Sequence, residues 1–565
     1  MLKKFTAILI PVFGLIFFGP PARAADNSSP AAASQQLAAQ AESFREEQKK
    51  KPLAPEEKLE IVQEKKKEAP QKIEGPRFFV KKIGLSGNTV LSSAALEKYT
   101  APYENKDSSF EELAAVADKI TDVYIAAGYS TSQAYLAPQK IEDGGVTIKV
   151  VEGKVGAVRV EGNKYFKNEI YQDAIRLRQD RIFAYQDLES SLYALNQKPD
   201  LAAKGYIVPG KEPATSDIVL KAEEKYPLHA YYGFNNRGSK LTHRQRHEAH
   251  FDDNNLLGYG DILNTSFSMA EEGAFNAGFV SYEFPIERTG TTLRLDTSYV
   301  HSRLVGDFRS NEIVGKNLSV FPSVTQNLIR GLKFALDWFL GFDYTDSRTI
   351  SDGTKISLDK MRVLKTGPRL TFQDTGGRTI LSTDVDWGIP RFLGGSDEND
   401  PEASRVNSGG DFLYYTAGVA RIQRLPESMY LVLRANGQWT NDTLTSVEEF
   451  HAGGAYSVRG YPESDAVGDY GYNFSAELNV PVPFLPKDQG APYRLITFLD
   501  GAETCFRERA AETTVKDSFL LGAGAGIRVN LNTNTSLQLD FGWPIGDDSS
   551  EKNRVQTHIA LKAGF

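Results

Sequence analysis

Arg459 stands alone as a cation in the stretch HAGGAYSVRGYPES (His451–Ser464), boxed between Val458 and Gly460 with Tyr461 behind it. A guanidinium keeps its charge in any protein, so it is a poor proton shuttle. What it offers is a planar fork of donors for a carboxylate. The glycines around it let backbone pack closely against a wall. Such a segment can carry the arginine into a polar interior and fix it there. Asp500, in Phe498-Leu499-Asp500-Gly501, is the candidate acceptor, because alternation along that strand can point it inward. The alternative is an ordinary solvated loop arginine.

Other reactive residue types give less. His243, His247 and His250 suggest a metal site, but on a strand the first two share a face and the third takes the other. They read as hairpin-surface histidines. Asp397-Glu398-Asn399-Asp400 lacks the glycine of a calcium loop and reads as an acidic surface loop. The chain has neither a G-x-x-x-x-G-K-[ST] loop nor a G-x-S-x-G elbow. No catalytic residue, metal or cofactor is expected, and the chain is not expected to be an enzyme.

The elements that would hold Arg459 are spread over a chain of 565 residues. Lys3 and Lys4, the short apolar run Ala7–Phe18 and the small-x-small Ala22-Arg23-Ala24 read as a secretory signal peptide over 1–24. The run is too short for a spanning helix, which needs about 20 apolar residues. One cysteine, Cys505, excludes an intrachain disulfide framework. A net charge of −8 spread along the chain argues against nucleic acid as a partner. Residues 25–75 are rich in Ala, Gln, Glu and Lys and cannot bury a core. They read as a linker, with a possible plug helix inside it.

Helical and strand periodicities mix between residues 76 and 225. A strand at Val80–Leu85 precedes a Gly87-Asn88 turn. Ser109-Phe110-Glu111-Glu112 reads as a capping box. Phe110, Leu113, Val116, Ile120 and Val123 then recur at helical spacing. After the strand at Gly145–Val151 the order restarts: Val158–Asn163 matches Ile83–Asn88 about 75 residues on. This predicts two α+β repeats, 76–153 and 154–225.

From 226 to 565 alternation replaces helical spacing. Leu537, Leu539, Phe541 and Trp543 face one way, with Gln538, Asp540 and Gly542 opposite; Leu293, Leu295 and Tyr299 oppose Arg294, Asp296 and Ser298. About 16 such segments are more than a single sandwich holds. Aromatics at segment ends (Tyr472, Trp439, Trp543, Trp387) fit interfacial girdles. The reading is an all-β, 16-stranded antiparallel transmembrane barrel, with apolar side chains outward and a polar lumen.

Val458-Arg459-Gly460-Tyr461 resembles the VRGY loop signature of the POTRA-containing outer-membrane transporters of the BamA superfamily. Two POTRA-like repeats before such a barrel resemble, more narrowly, the two-partner secretion transporters (TpsB; FhaC, ShlB and HecB are members). Asn255-Leu256-Leu257-Gly258-Tyr259-Gly260-Asp261 and the Phe498–Asp500 run add to the likeness, which covers essentially the whole mature chain. The family pattern is F-x-D-x-G, and here Ala502 takes the last place. The resemblance implies POTRA 1 at 76–153, POTRA 2 at 154–225, and a barrel at 226–565 with a long VRGY loop at about 440–471, between the eleventh and twelfth strands. It implies that Arg459 pairs with Asp500 on the inner wall and that Phe565 is the C-terminal strand signal. It further implies an outer-membrane location with the POTRA repeats in the periplasm. The expected partners are an unfolded exoprotein client of adhesin or haemolysin type, outer-membrane lipid, and the barrel assembly machinery for the chain's own insertion. An assembly factor of the BamA or TamA type is the alternative.

Overall fold

The computed structural model describes residues 61–63 and 77–564, apart from 142, 287, 332, 483–492, 508–516, 532–533, 548 and 552–553. The expected signal peptide, the possible plug helix and Phe565 lie outside the described residues.

Two small units of one topology come first. Strand Lys82–Ser86, helices Ser93–Thr100 and Phe110–Ala126, and strands Gln133–Leu136 and Gly145–Val151 form the first. Its central strand, Gly145–Val151, pairs parallel with Lys82–Ser86 and antiparallel with Gln133–Leu136. The second unit repeats that order with Lys154–Glu161, Asn168–Ala174, Tyr185–Asn196, Leu201–Pro209 and Thr215–Glu224. It repeats the same parallel and antiparallel pairing. Ser109 opens the long helix of the first unit with a capping box: its Oγ accepts from Glu112 N, and the Glu112 carboxylate accepts from Ser109 N. Leu113, Val116, Ala117, Ile120 and Tyr124 then face Val146, Ile148 and Val150 to make the core. Phe110 is not part of that stripe. It sits at the first helical position, ahead of the sheet, and is 53% exposed.

Matching polar contacts explain why the Gly-Asn turn recurs. Asn88 Nδ2 donates to Leu91 O at 2.9 Å, and Asn163 Nδ2 donates to Phe166 O at 3.4 Å. The last strand of each unit leads to a glutamate that receives the backbone of that turn. Glu152 accepts from Thr89 N and Val90 N, and Glu224 accepts from Lys164 N and Phe166 N. Each glutamate also accepts from a helix tyrosine, Tyr124 in the first unit and Tyr171 in the second. Outside these units, Ile61–Gln63 adds a parallel strand to Leu201–Pro209, covering that edge of the second sheet.

Sixteen antiparallel strands then close a barrel, from Leu228–Asn235 to Gln556–Gly564. Leu293, Leu295, Tyr299, Trp338, Trp387 and Trp439 lie exposed on the outside, while Asp386, Asp500, Asp540 and Gln556 are buried on the inside. This inverts the arrangement of a water-soluble β protein. In hydrocarbon every backbone donor and acceptor must be satisfied within the chain, which a closed ladder does. No described helix is long and apolar enough to cross a membrane; the strands do the crossing. The sixth, seventh and eighth strands are the tallest, at 17, 18 and 21 residues (Val314–Arg330, Phe334–Ser351 and Thr354–Asp374).

The second unit is seated on the barrel by the turn at Asn255–Asp261. Asp261 is fully buried and accepts from Leu257 N, Tyr259 N and the Tyr282 hydroxyl, which fixes the turn. Asn255 Nδ2 reaches out to Tyr165 O at 2.9 Å, Gly258 O accepts from Lys167 N at 2.9 Å, and Lys167 Nζ lies 3.9 Å from the centre of the Tyr259 ring. Beside it Asp200 meets His229 Nε2 and Asn254 Nδ2, both at 2.7 Å. Burial opposes charge on Asp200, yet its hydrogen bonds to His229 and Asn254 hold the carboxyl below its usual range.

Candidate functional site

Residues 441–469 connect the eleventh strand (Tyr430–Thr440) to the twelfth (Tyr470–Pro481). Such a length calls for internal support. Here a short hairpin, Phe450–Ala452 with Ala466–Gly468, narrows the base, and the segment between them folds against the inner wall. Val458 and Tyr461 are completely buried and Arg459 is 5% exposed.

Arg459 grips Asp500 with two side-chain donors: Nε to Oδ2 at 2.7 Å and Nη2 to Oδ1 at 2.9 Å. Its backbone N adds a third contact to Oδ2 at 3.1 Å. The remaining nitrogen, Nη1, donates to Glu477 Oε2 at 2.5 Å. The guanidinium carbon lies 3.6 Å from the centre of the Phe498 ring. One charge thus meets a bidentate acid, a second acid and an aromatic face. This is the combination in which a guanidinium exceeds an ammonium.

Strand geometry brings these acceptors together. Phe498 and Asp500 are two apart on the thirteenth strand (Tyr493–Cys505), so both point inward. In the twelfth strand, Ser475 lies directly opposite Asp500 and Glu477 opposite Phe498. Ser475 Oγ donates to Asp500 Oδ1 at 2.7 Å and completes its shell. On the far side Arg528 pairs with Asp540 through contacts of 2.5 and 2.9 Å and lies 3.6 Å from Glu477. The wall is therefore a ring of alternating charge into which Arg459 fits.

Two glycines make the approach possible. Gly460 has φ +119°, and a Cβ there would meet the Trp543 carbonyl carbon at 3.0 Å. On the fourteenth strand (Ser518–Asn530), a Cβ at Gly522 would lie 2.1 Å from Arg459 O. Beside the ion cluster, Val458, Tyr461, Ala452, Ala466, Ala502 and Leu520 form a small dry core. Ala502 is fully buried in it, so the methyl that replaces the family glycine packs against the loop. The Tyr461 hydroxyl donates to Asp547 O at 3.0 Å.

Of the residues read from the sequence, Val458, Arg459, Gly460, Tyr461, Phe498 and Asp500 are brought together here. Phe565 lies outside the described residues. Elsewhere, His247 Nδ1 is 2.7 Å from the Tyr232 hydroxyl and His250 Nε2 is 3.5 Å from Glu248, while Asp397 pairs with Arg391 at 2.6 Å. Sequence alone does not distinguish Glu477, Ser475, Arg528 and Asp540 from the other polar positions of their strands. Alternation puts Glu477 on the polar face of its strand, but only cross-strand register sets it beside Phe498.

Comparison with known proteins gives concordant findings. The profile of the haemolysin secretion/activation protein ShlB/FhaC/HecB matches residues 214–529, and that of the ShlB-type POTRA domain matches residues 78–153. The chain is 26% identical over 447 residues to the outer membrane transporter CdiB of Escherichia coli strain 536, covering 76% of this chain and 73% of that one. It is 23% identical over 389 residues to the heme/hemopexin transporter protein HuxB of Haemophilus influenzae strain 86-028NP, covering 67% and 68%. The fold is similar to that of CdiB from Escherichia coli, with a TM-score of 0.71 at 22% identity, covering 95% of this chain and 98% of that one. It is also similar to that of BamA from Haemophilus ducreyi lacking POTRA domains 1–3, with a TM-score of 0.53 at 15% identity, covering 87% and 100%.

Proposed function

Because the chain belongs to the haemolysin secretion/activation protein family of ShlB, FhaC and HecB, we propose that it takes an unfolded partner polypeptide onto its POTRA repeats and passes it through the barrel to the cell surface. The chain is an outer-membrane transporter of two-partner secretion, with POTRA repeats in the periplasm, and its family is one of secretion channels rather than enzymes.

Uptake of an unfolded chain is supported by sheet edges that have no neighbouring strand among the described residues. Lys154–Glu161 ends the second sheet, and Lys82–Ser86 and Gln133–Leu136 end the first; the Leu201–Pro209 edge already carries Ile61–Gln63. An extended client that adds a strand at a sheet edge gains backbone hydrogen bonds whatever its side chains, which suits a carrier of unfolded chains. The polar lumen offers the path. Folding of the client outside the cell makes its return unfavourable and supplies the direction. Arg459 and Asp500 anchor the VRGY loop in the position that export needs. Outer-membrane lipid surrounds the barrel, and the barrel assembly machinery inserts it.

Co-expression with a candidate exported partner polypeptide is the test. Arg459→Ala and Asp500→Ala reduce the partner at the cell surface while heat-modifiable gel mobility shows an assembled barrel. Undiminished display in both variants would refute the anchor role. A general fall in other outer-membrane barrels on deletion would identify an assembly factor instead.

A further inference from the structure

The VRGY loop is held at a second place, at its neck, by an arginine from another connection. Asp469, the last residue of the loop, is fully buried. It accepts from Leu444 N at 2.8 Å, so its carboxylate ties the two limbs of the loop together at the neck. It also accepts from Arg507 N at 2.8 Å. The charge on it is met by Arg405, which comes from the connection between the ninth strand (Gly377–Gly388) and the tenth (Leu413–Arg424). Arg405 Nη1 lies 2.5 Å from Asp469 Oδ1, 2.9 Å from Glu449 Oε1 and 2.8 Å from Leu444 O. Its guanidinium carbon is 4.9 Å from the centre of the Phe506 ring.

The connection that carries Arg405 is fixed at its other side to the eighth strand. Ser404 N donates to Asp359 Oδ1 at 2.8 Å, and Leu358 N donates to Glu402 O at 2.7 Å. Residues 402–405 therefore run as a chord from the eighth strand to the neck between the eleventh and twelfth. Strand parity puts this chord at the end of the barrel opposite the POTRA repeats, the surface mouth. We propose that Arg405 is the positioning residue of the exit: it pins the neck of the VRGY loop to this chord, and the pin lets go when a client leaves.

Solvent access makes the neck, rather than the tip, the place where the loop can let go. What holds the pin closed is that Asp469 and Glu449, 0% and 6% exposed at their side chains, share Arg405 as counter-charge; what distinguishes it from the tip is access to water. The side chain of Arg405 is itself 18% exposed, against 6% for the side chain of Arg459, so water can re-solvate it once it swings out. The neck is the end of the loop at which separated ions find solvent soonest.

The inference rests on the export reading, so secretion by the unsubstituted transporter in the same cells is the control that separates the two. Ser446 N donates to Ser404 Oγ at 2.9 Å, so these two residues are neighbours across the chord and the neck, and formation of a cysteine bond between them is read from non-reducing gel mobility before secretion is scored. The staple is Ser404→Cys with Ser446→Cys, in the full chain carrying Cys505→Ser to prevent mispairing. The oxidised staple is expected to cut secretion by about tenfold, equivalent to ~1.4 kcal/mol, with recovery on addition of a membrane-permeant reductant. Equal secretion in the oxidised and reduced states overturns the proposal. A second measurement is independent of the staple. In planar lipid bilayers Arg405→Ala should raise the open-channel fraction about tenfold, and Arg405→Lys should fall between it and the unsubstituted protein. An unchanged open fraction in Arg405→Ala also overturns it.

Discussion

Arg459 meets Asp500 through parallel N–H···O contacts that an ammonium cannot reproduce, and it reaches Glu477 with a third nitrogen. Arg459→Lys keeps the charge but leaves buried acceptors short of donors, a loss of about 1–3 kcal/mol per unsatisfied group. Secretion by Arg459→Lys should therefore fall close to that of Arg459→Ala, as measured by partner protein in the medium. Gly522→Val tests the same contact by shape: the added side chain collides with Arg459 O, at a cost of about 1–3 kcal/mol. It should expose the loop to added protease on intact cells while the barrel assembles. What the sequence made legible at this scale was limited. Alternation turned Asp500 inward, and a four-residue motif drew attention to Arg459. Alternation says nothing of what lies across the strand, so Ser475 and Glu477 were just two more polar positions. Arg405 and Asp469 were invisible for the same reason. Their partners sit in connections that carry no period, 64 residues apart.

Among the elements, the POTRA units and their seat on the barrel are the parts whose failure can be separated from that of the barrel. Ile120 is fully buried on the long helix of the first unit, and Ile120→Ala should cost that unit about 2–5 kcal/mol. Limited proteolysis should then remove the first unit and leave the barrel intact. The joint has its own pH dependence. Asp200 is held below the usual carboxylate range, so the stabilisation it gives is present above its unfolded value of about 3.9 and is lost as pH falls through the lower folded value. On the acid side, hydrogen exchange at the Asn255–Asp261 turn should rise as pH falls below about 4, and Asp200→Asn should be looser at neutral pH with that acid step removed. Helical spacing and the Gly-Asn turn sufficed to show two copies of one unit. They misplaced Phe110, because spacing marks a stripe without saying where the sheet beneath it begins. The strand at Ile61–Gln63 could not be read, since three residues inside a charged segment carry no pattern of their own.

For the whole molecule, one physical choice set the architecture: the apolar faces of the barrel strands point outward. The sequence showed that each strand has two unlike faces. The number of strands and their aromatic ends separated a barrel from a sandwich. Strand length was not legible, because polar residues alternate with apolar ones beyond the membrane much as they do within it. The hairpin at Asp352-Gly353, with φ of +48° and +76°, joins the two tallest strands. It should accept an epitope insertion with secretion retained, and antibody should label that epitope on unbroken cells.

Those tall strands also give the rim an uneven height. Twenty-one residues at about 3.4 Å each make ~70 Å of strand; tilted by about 40°, it climbs roughly 55 Å, of which the lipid band takes about 25 Å. The surplus stands outside the cell as a parapet on one flank only. A polypeptide emerging from the mouth has protein at its back and open water in front, so its first turns can be laid down against a rigid sheet instead of in free solution.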